Sequence, residues 1–123
     1  MRKTGFTLIE LLVTLTIIAT LLSLAAPRYF GSVEKAKESV LQENLATLRD
    51  AIDKYFADTG NYPESLDELV AKKYIKKVPL DPVTERSETW LFVPPPSASA
   101  GGIYDVHSGA TGNARDGTPF SNW

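Results

Sequence analysis

An unbroken apolar run lies close to the amino terminus of this chain. Residues 6–26 contain 21 residues and a single charged side chain, that of Glu10. As an α-helix this run would be about 31 Å long, enough to cross the hydrocarbon core of a bilayer. Arg2 and Lys3 precede the run, and the next basic residue, Arg28, follows its end. The positive-inside rule therefore places the basic start in the cytoplasm and the carboxy-terminal remainder across the membrane.

A cleaved secretory signal is the simplest alternative, because Ser23-Leu24-Ala25 offers a site with small residues. Two features oppose it. The apolar run exceeds the roughly 7–15 residues of a signal core. An acidic residue inside the run has no use in a disposable signal, and a carboxylate at mid-bilayer costs about 2.5–3.5 kcal/mol by insertion scales. Glu10 is therefore a candidate functional residue. Its charge also argues against a segment that serves only as a membrane anchor.

A partner for Glu10 appears if the chain is cut after Gly5. Phe6 would then carry a free α-ammonium, one helical turn from Glu10. Between chains, Glu10 of one subunit would neutralise the Phe6 ammonium of its neighbour, because a paired charge is far cheaper to bury than a lone one. Such a pair would fix the axial register of stacked helices, as a buried polar residue does in a coiled coil.

The run from Arg2 to Glu10, RKTGFTLIE, resembles the class III signal of type IV pilins and type II secretion pseudopilins. The resemblance implies that a prepilin peptidase cuts between Gly5 and Phe6 and N-methylates Phe6. It also implies that Phe6 and Glu10 act in assembly and that the helix melts near Pro27 when a filament forms. Proline independently predicts a kink or local unwinding there, because it lacks the helical N–H.

A second helical pattern follows Pro27. Its apolar positions are spaced 4, 3, 4 and 3 residues apart and predict one stripe facing a folded head; they are Leu41, Leu45, Leu48, Ile52 and Tyr55. Gly60 predicts the end of this helix. Ser65 to Glu68 is a capping box that opens a short helix to about Ala71.

The carboxy-terminal half predicts a small sheet. Glu88–Val93 and Gly102–Val106 are predicted as partner strands, joined by the Pro-rich loop Pro94–Gly101. The segment His107–Trp123 is Gly-rich and irregular, and we expect Trp123 to dock onto the head.

The predicted fold class is α+β. A long amino-terminal helix, transmembrane in its first half and amphipathic in its second, packs on a small antiparallel sheet with an irregular carboxy-terminal loop. The predicted boundaries are a cleaved leader at 1–5, a transmembrane and assembly helix at 6–26, and a periplasmic head at 27–123 that includes the amphipathic half of the helix.

Composition opposes catalysis and nucleic-acid binding. The chain has no cysteine and one histidine, which excludes thiol nucleophiles and His-pair metal sites. His107 and Ser108 are adjacent, and neighbours on an extended chain point to opposite faces. A net charge of −2 does not provide the basic field of a nucleic-acid binder. We therefore predict no enzyme activity and no nucleic-acid partner.

Two further stretches, Thr59–Pro63 and Val78–Pro82, resemble turns of the G-type major pseudopilins. In that family the carboxy-terminal loop binds calcium, so the resemblance raises the question of a calcium cofactor. Here Thr111 and Pro119 stand at the positions of the family's aspartates. We therefore predict that the usual calcium site is missing. The remaining weak metal candidates are Asp105, Asn113 and Asp116.

The resemblance implies a major pseudopilin that polymerises into a periplasmic pseudopilus driving type II secretion. A type IV pilin or competence pilin of a surface filament is the alternative, and a membrane-anchored periplasmic binding protein or enzyme is a weaker one. The implied partners are copies of the chain itself, a prepilin peptidase, minor pseudopilins, an inner-membrane platform with its cytoplasmic ATPase, and membrane lipid before assembly. The implied location is the bacterial inner membrane, crossed once, with the head in the periplasm.

Overall fold

The computed structural model describes residues 4–97 and 101–123. Two parts of the sequence predictions lie outside the described residues. They are the basic residues Arg2 and Lys3 and residues 98–100 of the predicted Pro-rich loop. The described elements are helix α1 (Leu8–Thr59), helix α2 (Leu66–Ala71), strands β1 (Leu91–Val93) and β2 (Asp105–His107), and a 3-10 turn at Phe120–Asn122. The chain forms two compact units, one ending at Glu34 and one running from Lys35 to Trp123. This architecture confirms the predicted α+β class.

The first unit consists of the apolar part of α1. Pro27 lies inside this helix, and the residues on both sides of it are helical. The local unwinding predicted at Pro27 is therefore absent from this helix. Proline removes only one backbone bond, to the carbonyl four residues earlier, and the flanking bonds remain. Among apolar side chains the backbone has no other partners, which further favours the helix.

The second unit has its own hydrophobic core. The five stripe residues predicted on α1 are all buried, which confirms the orientation of this part of the helix. The residues that share the core with them are Ala51, Leu66, Leu69, Trp90, Ile103, Val106, Ala110, Ala114 and Phe120. Trp123 packs against this core, with its ring centroid 5.3 Å from that of Phe120, as predicted.

The predicted helix boundaries after the stripe are confirmed. Gly60 has a φ of 76°, and its N–H donates to the Phe56 carbonyl at 2.8 Å, so it ends α1 in a left-handed conformation. The Ser65 hydroxyl accepts the Glu68 N–H at 3.1 Å. The Glu68 carboxylate accepts the Glu64 N–H at 2.8 Å, one residue earlier than in a standard capping box.

The sheet pairs β1 with β2 antiparallel, with Phe92 opposite Val106. Both strands are shorter than predicted, and β2 ends one residue later, at His107. Before β1 the indole N–H of Trp90 donates to the Pro79 carbonyl at 3.0 Å. Before β2 the backbone N–H of Ile103 donates to the Pro63 carbonyl at 2.7 Å. A loop carbonyl thus takes the place of an outer rung that the sequence pattern predicted for the second strand.

Among the glycines of the head, Gly109 lies closest to the backbone of another segment. A Cβ atom there would overlap the carbonyl oxygen of Thr89. Overpacking a close contact costs about 1–3 kcal/mol. Because each kcal/mol lowers the melting temperature of a domain of this size by roughly 4–8 °C, we expect Gly109→Ala to melt at a clearly lower temperature. Thermal unfolding of the detergent-solubilised chain, followed by tryptophan fluorescence, measures this. Gly101→Ala is the matched control, because nothing lies within 4 Å of its Cβ position. Equal melting temperatures for the two variants would contradict the packing described.

We expect the hydrogen bond that links α1 to α2 to be sensitive to acid. The Tyr55 hydroxyl donates to Glu68 at 2.5 Å, and this bond, with the Glu64 N–H and Lys72, lowers the pKa of the Glu68 carboxyl from its ordinary 4.5. A lowered folded-state pKa contributes stability above the ordinary value, and this stability is lost as the pH falls through the lowered pKa. We expect Glu68→Gln to flatten the fall of melting temperature below about pH 4.5. Glu64→Gln, at an exposed neighbour, should retain the wild-type profile.

Candidate assembly site

The amino-terminal end of α1 is closed by a reciprocal cap. The Thr7 N–H donates to Oε2 of Glu10 at 2.8 Å, and the Glu10 N–H donates to the Thr7 hydroxyl at 3.2 Å. Two helix-end donors are thereby satisfied, and the carboxylate in the apolar segment accepts a backbone hydrogen bond. Sequence reasoning missed this pair, although the spacing of Thr7 and Glu10 is that of a capping box.

Three predicted site residues lie together at this end of the helix. Gly5, Phe6 and Glu10, with Thr4, line a shallow groove of about 370 Å³. Phe6 is 90% exposed and also borders a second, more apolar groove with Glu10 and Val13. The predicted cleavage junction is therefore accessible, and the Glu10 carboxylate borders the same groove as Phe6, the residue that cleavage would make the new amino terminus.

The apolar part of α1 lacks a covering surface. Its most hydrophobic 18-residue window has a mean hydropathy of 2.3, and none of it is buried. Within the described residues, α1 alone is long and apolar enough to cross a membrane. Exposed large apolar side chains occupy all sides of the helix; among them are Leu8, Ile9, Leu15, Leu21 and Leu24. Such a surface requires lipid or other helices around it.

The hydroxyl groups of this segment are adapted to an apolar environment. Thr14, Thr16, Thr20 and Ser23 each donate to the carbonyl four residues earlier, at 2.7–2.8 Å. Each hydroxyl proton thus has a partner within its own helix, which avoids the cost of an unsatisfied donor in hydrocarbon.

The three weak metal candidates are engaged separately. Asp105 accepts from Arg49 Nε and from the Val106 N–H, both at 2.8 Å. Asp116 accepts from the Thr118 hydroxyl at 2.6 Å and the Thr118 N–H at 2.9 Å, and these bonds lower the pKa of its carboxyl. Asn113 forms an isolated bridge with Pro119. In residues 4–97 and 101–123, no group of three or more His, Asp or Glu side chains could hold a metal ion.

The adjacent His107 and Ser108 do not interact as a catalytic pair. The Ser108 hydroxyl donates to the fully buried carboxylate of Asp81 at 2.6 Å. His107 Nδ1 lies 2.5 Å from the main-chain oxygen of Trp123. Asp81 also accepts the Val83 N–H at 2.8 Å, so it connects two loops of the head. Sequence reasoning noted the stretch containing Asp81 but did not predict this role.

Comparison with known proteins supports the interpretation of the amino-terminal segment as a methylation motif. A family model described as the prokaryotic N-terminal methylation motif matches residues 1–26. The type II secretion system core protein G of Aeromonas hydrophila is 35% identical over 66% of this chain and 68% of its own length. The Escherichia coli K12 protein of that name is 30% identical over 99% and 92%. The one from Vibrio cholerae is 29% identical over the same shares. No solved structure matches significantly.

An apolar helix of membrane-spanning length that begins in a methylation motif, together with a small α+β head, defines a pilin-like, membrane-anchored subunit. Within that class, the identity and coverage of the relatives identify the family. The chain belongs to the family of the type II secretion system core protein G, the major pseudopilins. It is accordingly a structural subunit and not an enzyme.

Proposed function

We propose that this chain polymerises into a periplasmic pseudopilus that drives type II protein secretion. The observation that carries the proposal is the uncovered apolar helix of a core protein G relative, with Glu10 and Phe6 together at its capped end. A lone subunit satisfies this surface only with lipid. Packing against the helices of other copies covers the same surface outside the bilayer, which gives polymerisation its driving force.

Processing comes before assembly in this proposal. A prepilin peptidase cuts between Gly5 and Phe6, and Phe6 is then N-methylated. The match of the methylation motif and the exposure of Phe6 support this step. The leader at 1–5 carries the basic residues that hold the amino terminus in the cytoplasm, so the single span at 6–26 leaves the head at 27–123 in the periplasm. The chain therefore resides in the inner membrane until it joins a filament.

Glu10 changes its partner during assembly. In the free subunit its carboxylate accepts the Thr7 N–H. In the filament it meets the Phe6 ammonium of a neighbouring subunit, a charged donor that makes a stronger bond than a neutral amide. The cap thus keeps the carboxylate partnered within lipid, and the neighbour's ammonium replaces or joins that bond. This exchange fixes the axial register between subunits.

The remaining proposed partners follow from the system named for the relatives. Minor pseudopilins and an inner-membrane platform with its cytoplasmic ATPase would contact the growing end of the filament. Deleting the gene in its own host tests the proposal. We expect exported proteins to accumulate in the periplasm, and the wild-type gene to restore their release. Normal secretion combined with loss of a surface filament or of DNA uptake would instead show a type IV or competence pilin.

A further inference from the structure

The calcium implied by the family does not fit the carboxy-terminal loop of this chain. Calcium takes six to eight oxygen ligands and needs carboxylates for high affinity. Thr111 and Pro119 supply none at the two expected positions. The nearby carboxylates of Asp105 and Asp116 already accept hydrogen bonds from Arg49 and Thr118 respectively. A different arrangement must therefore hold the loop closed.

The loop forms a small hairpin with its own main-chain hydrogen bonds. Phe120 donates to the Gly112 carbonyl at 3.2 Å, and Ala114 donates to the Thr118 carbonyl at 2.8 Å. The turn is closed by Gly117, which has a φ of 89° and donates to the Ala114 carbonyl at 2.9 Å. These carbonyls therefore already accept hydrogen bonds within the hairpin.

An ion pair fastens the tip of this hairpin to α1. The Arg115 N–H donates to Oε1 of Glu38 at 2.7 Å, and its guanidinium Nε donates to Oε2 at 3.1 Å. Both carboxylate oxygens are thus engaged by one residue that lies 77 positions away in the chain. The Glu38 side chain is 14% exposed and that of Arg115 is 48% exposed, so the pair is partly open to solvent and to salt. Two charge-assisted bonds from one partner also fix orientation.

A second ion pair brings a positive charge to the same region. Arg49 donates to Asp105 through Nε at 2.8 Å and to the Val106 carbonyl through Nη2 at 2.9 Å. Arg49 and Asp116 line one cleft of about 450 Å³, together with Trp123. A guanidinium in this cleft opposes the entry of a divalent cation. The same charge neutralises the carboxylate that such a cation would need.

We infer that the ion pair of Glu38 with Arg115 fastens the carboxy-terminal loop to α1 in place of a divalent cation, while Arg49, paired with Asp105 of β2, opposes the entry of such a cation. The head is therefore stable without calcium. Its loop is sensitive to ionic strength instead, because ion pairs that are partly exposed are weakened by salt.

Melting of the full chain in detergent micelles, with calcium chloride or with a chelator, tests the first part. A calcium site filled at about a hundred times its Kd would raise the melting temperature by roughly 10 °C or more. We expect the two curves to coincide. A large calcium-dependent rise would overturn the inference.

Glu38→Gln tests the second part, with Glu43→Gln at an exposed position of the same helix as the matched control. We expect Glu38→Gln to speed amide hydrogen exchange in residues 112–120 at least about tenfold, and high salt to reduce its difference from the wild type. Arg115→Met should act similarly, and the double variant should lose little more than either single one. Exchange equal to that of Glu43→Gln, or additive losses in the double variant, would overturn the role of the ion pair.

Discussion

Replacing Glu10 by alanine is expected to leave the chain cleaved and inserted in the membrane, yet unable to form filaments. The Phe6 ammonium of each neighbour would then be buried without a counter-charge. Breaking one side of a buried ion pair costs about 3–5 kcal/mol, and 1.4 kcal/mol corresponds to a factor of ten in an equilibrium constant. The yield of sheared or cross-linked filaments should therefore fall at least about a hundredfold.

Glu10→Gln separates the charge from the cap. A glutamine side chain retains an oxygen that can accept the Thr7 N–H, as Glu10 does in the free subunit at 2.8 Å. It cannot neutralise an ammonium group. If ion pairing drives assembly, the glutamine variant should fail as the alanine variant does. If the glutamine variant assembled normally, the role of Glu10 would be to cap the helix, and the proposed pairing with Phe6 would be wrong.

Gly5→Leu is expected to abolish cleavage between Gly5 and Phe6. A peptidase that docks the junction against the membrane requires a small residue before the cut. The chain itself would tolerate the change, because nothing lies within 4 Å of the Cβ position at Gly5. Any effect must therefore arise in the recognition by the peptidase and not in the folding of the subunit. Intact-mass measurement of membrane-extracted protein distinguishes the full-length chain from one that has lost residues 1–5.

Thr4→Leu is the matched control for this experiment, because it adds the same side chain one residue away from the junction. We expect that variant to be cleaved and its new amino terminus to carry one methyl group on Phe6. Native protein that still begins at Met1 would contradict the proposed processing. Efficient cleavage of Gly5→Leu would contradict the requirement for a small residue.

The head shows which structural features local sequence patterns can predict. The apolar spacing on α1 predicted its buried face, and Ser65 with Glu68 predicted the start of α2, because these signals act within one or two helical turns. The strand pattern overestimated the sheet. Trp90 and Ile103 have the residue types of strands. The Trp90 indole N–H, however, donates to the Pro79 carbonyl, and the Ile103 backbone N–H donates to the Pro63 carbonyl. Those partners are 11 and 40 positions distant, and no local propensity contains them.

The candidate site likewise combines features that the sequence predicts with features that depend on tertiary structure. The sequence by itself determined the apolar helix and the methylation motif. It also predicted a role for Glu10, because a charge within an apolar run is conspicuous whatever the fold. Only the tertiary structure decided which residues pair with Asp105 of β2 and with Glu38 of α1. Asp105 pairs with Arg49 across 56 positions, and Glu38 pairs with Arg115 across 77. Such pairs depend on which helix face the loop meets. That is fixed by packing of the whole head, because ion pairs act over a few ångströms of space and not over sequence distance.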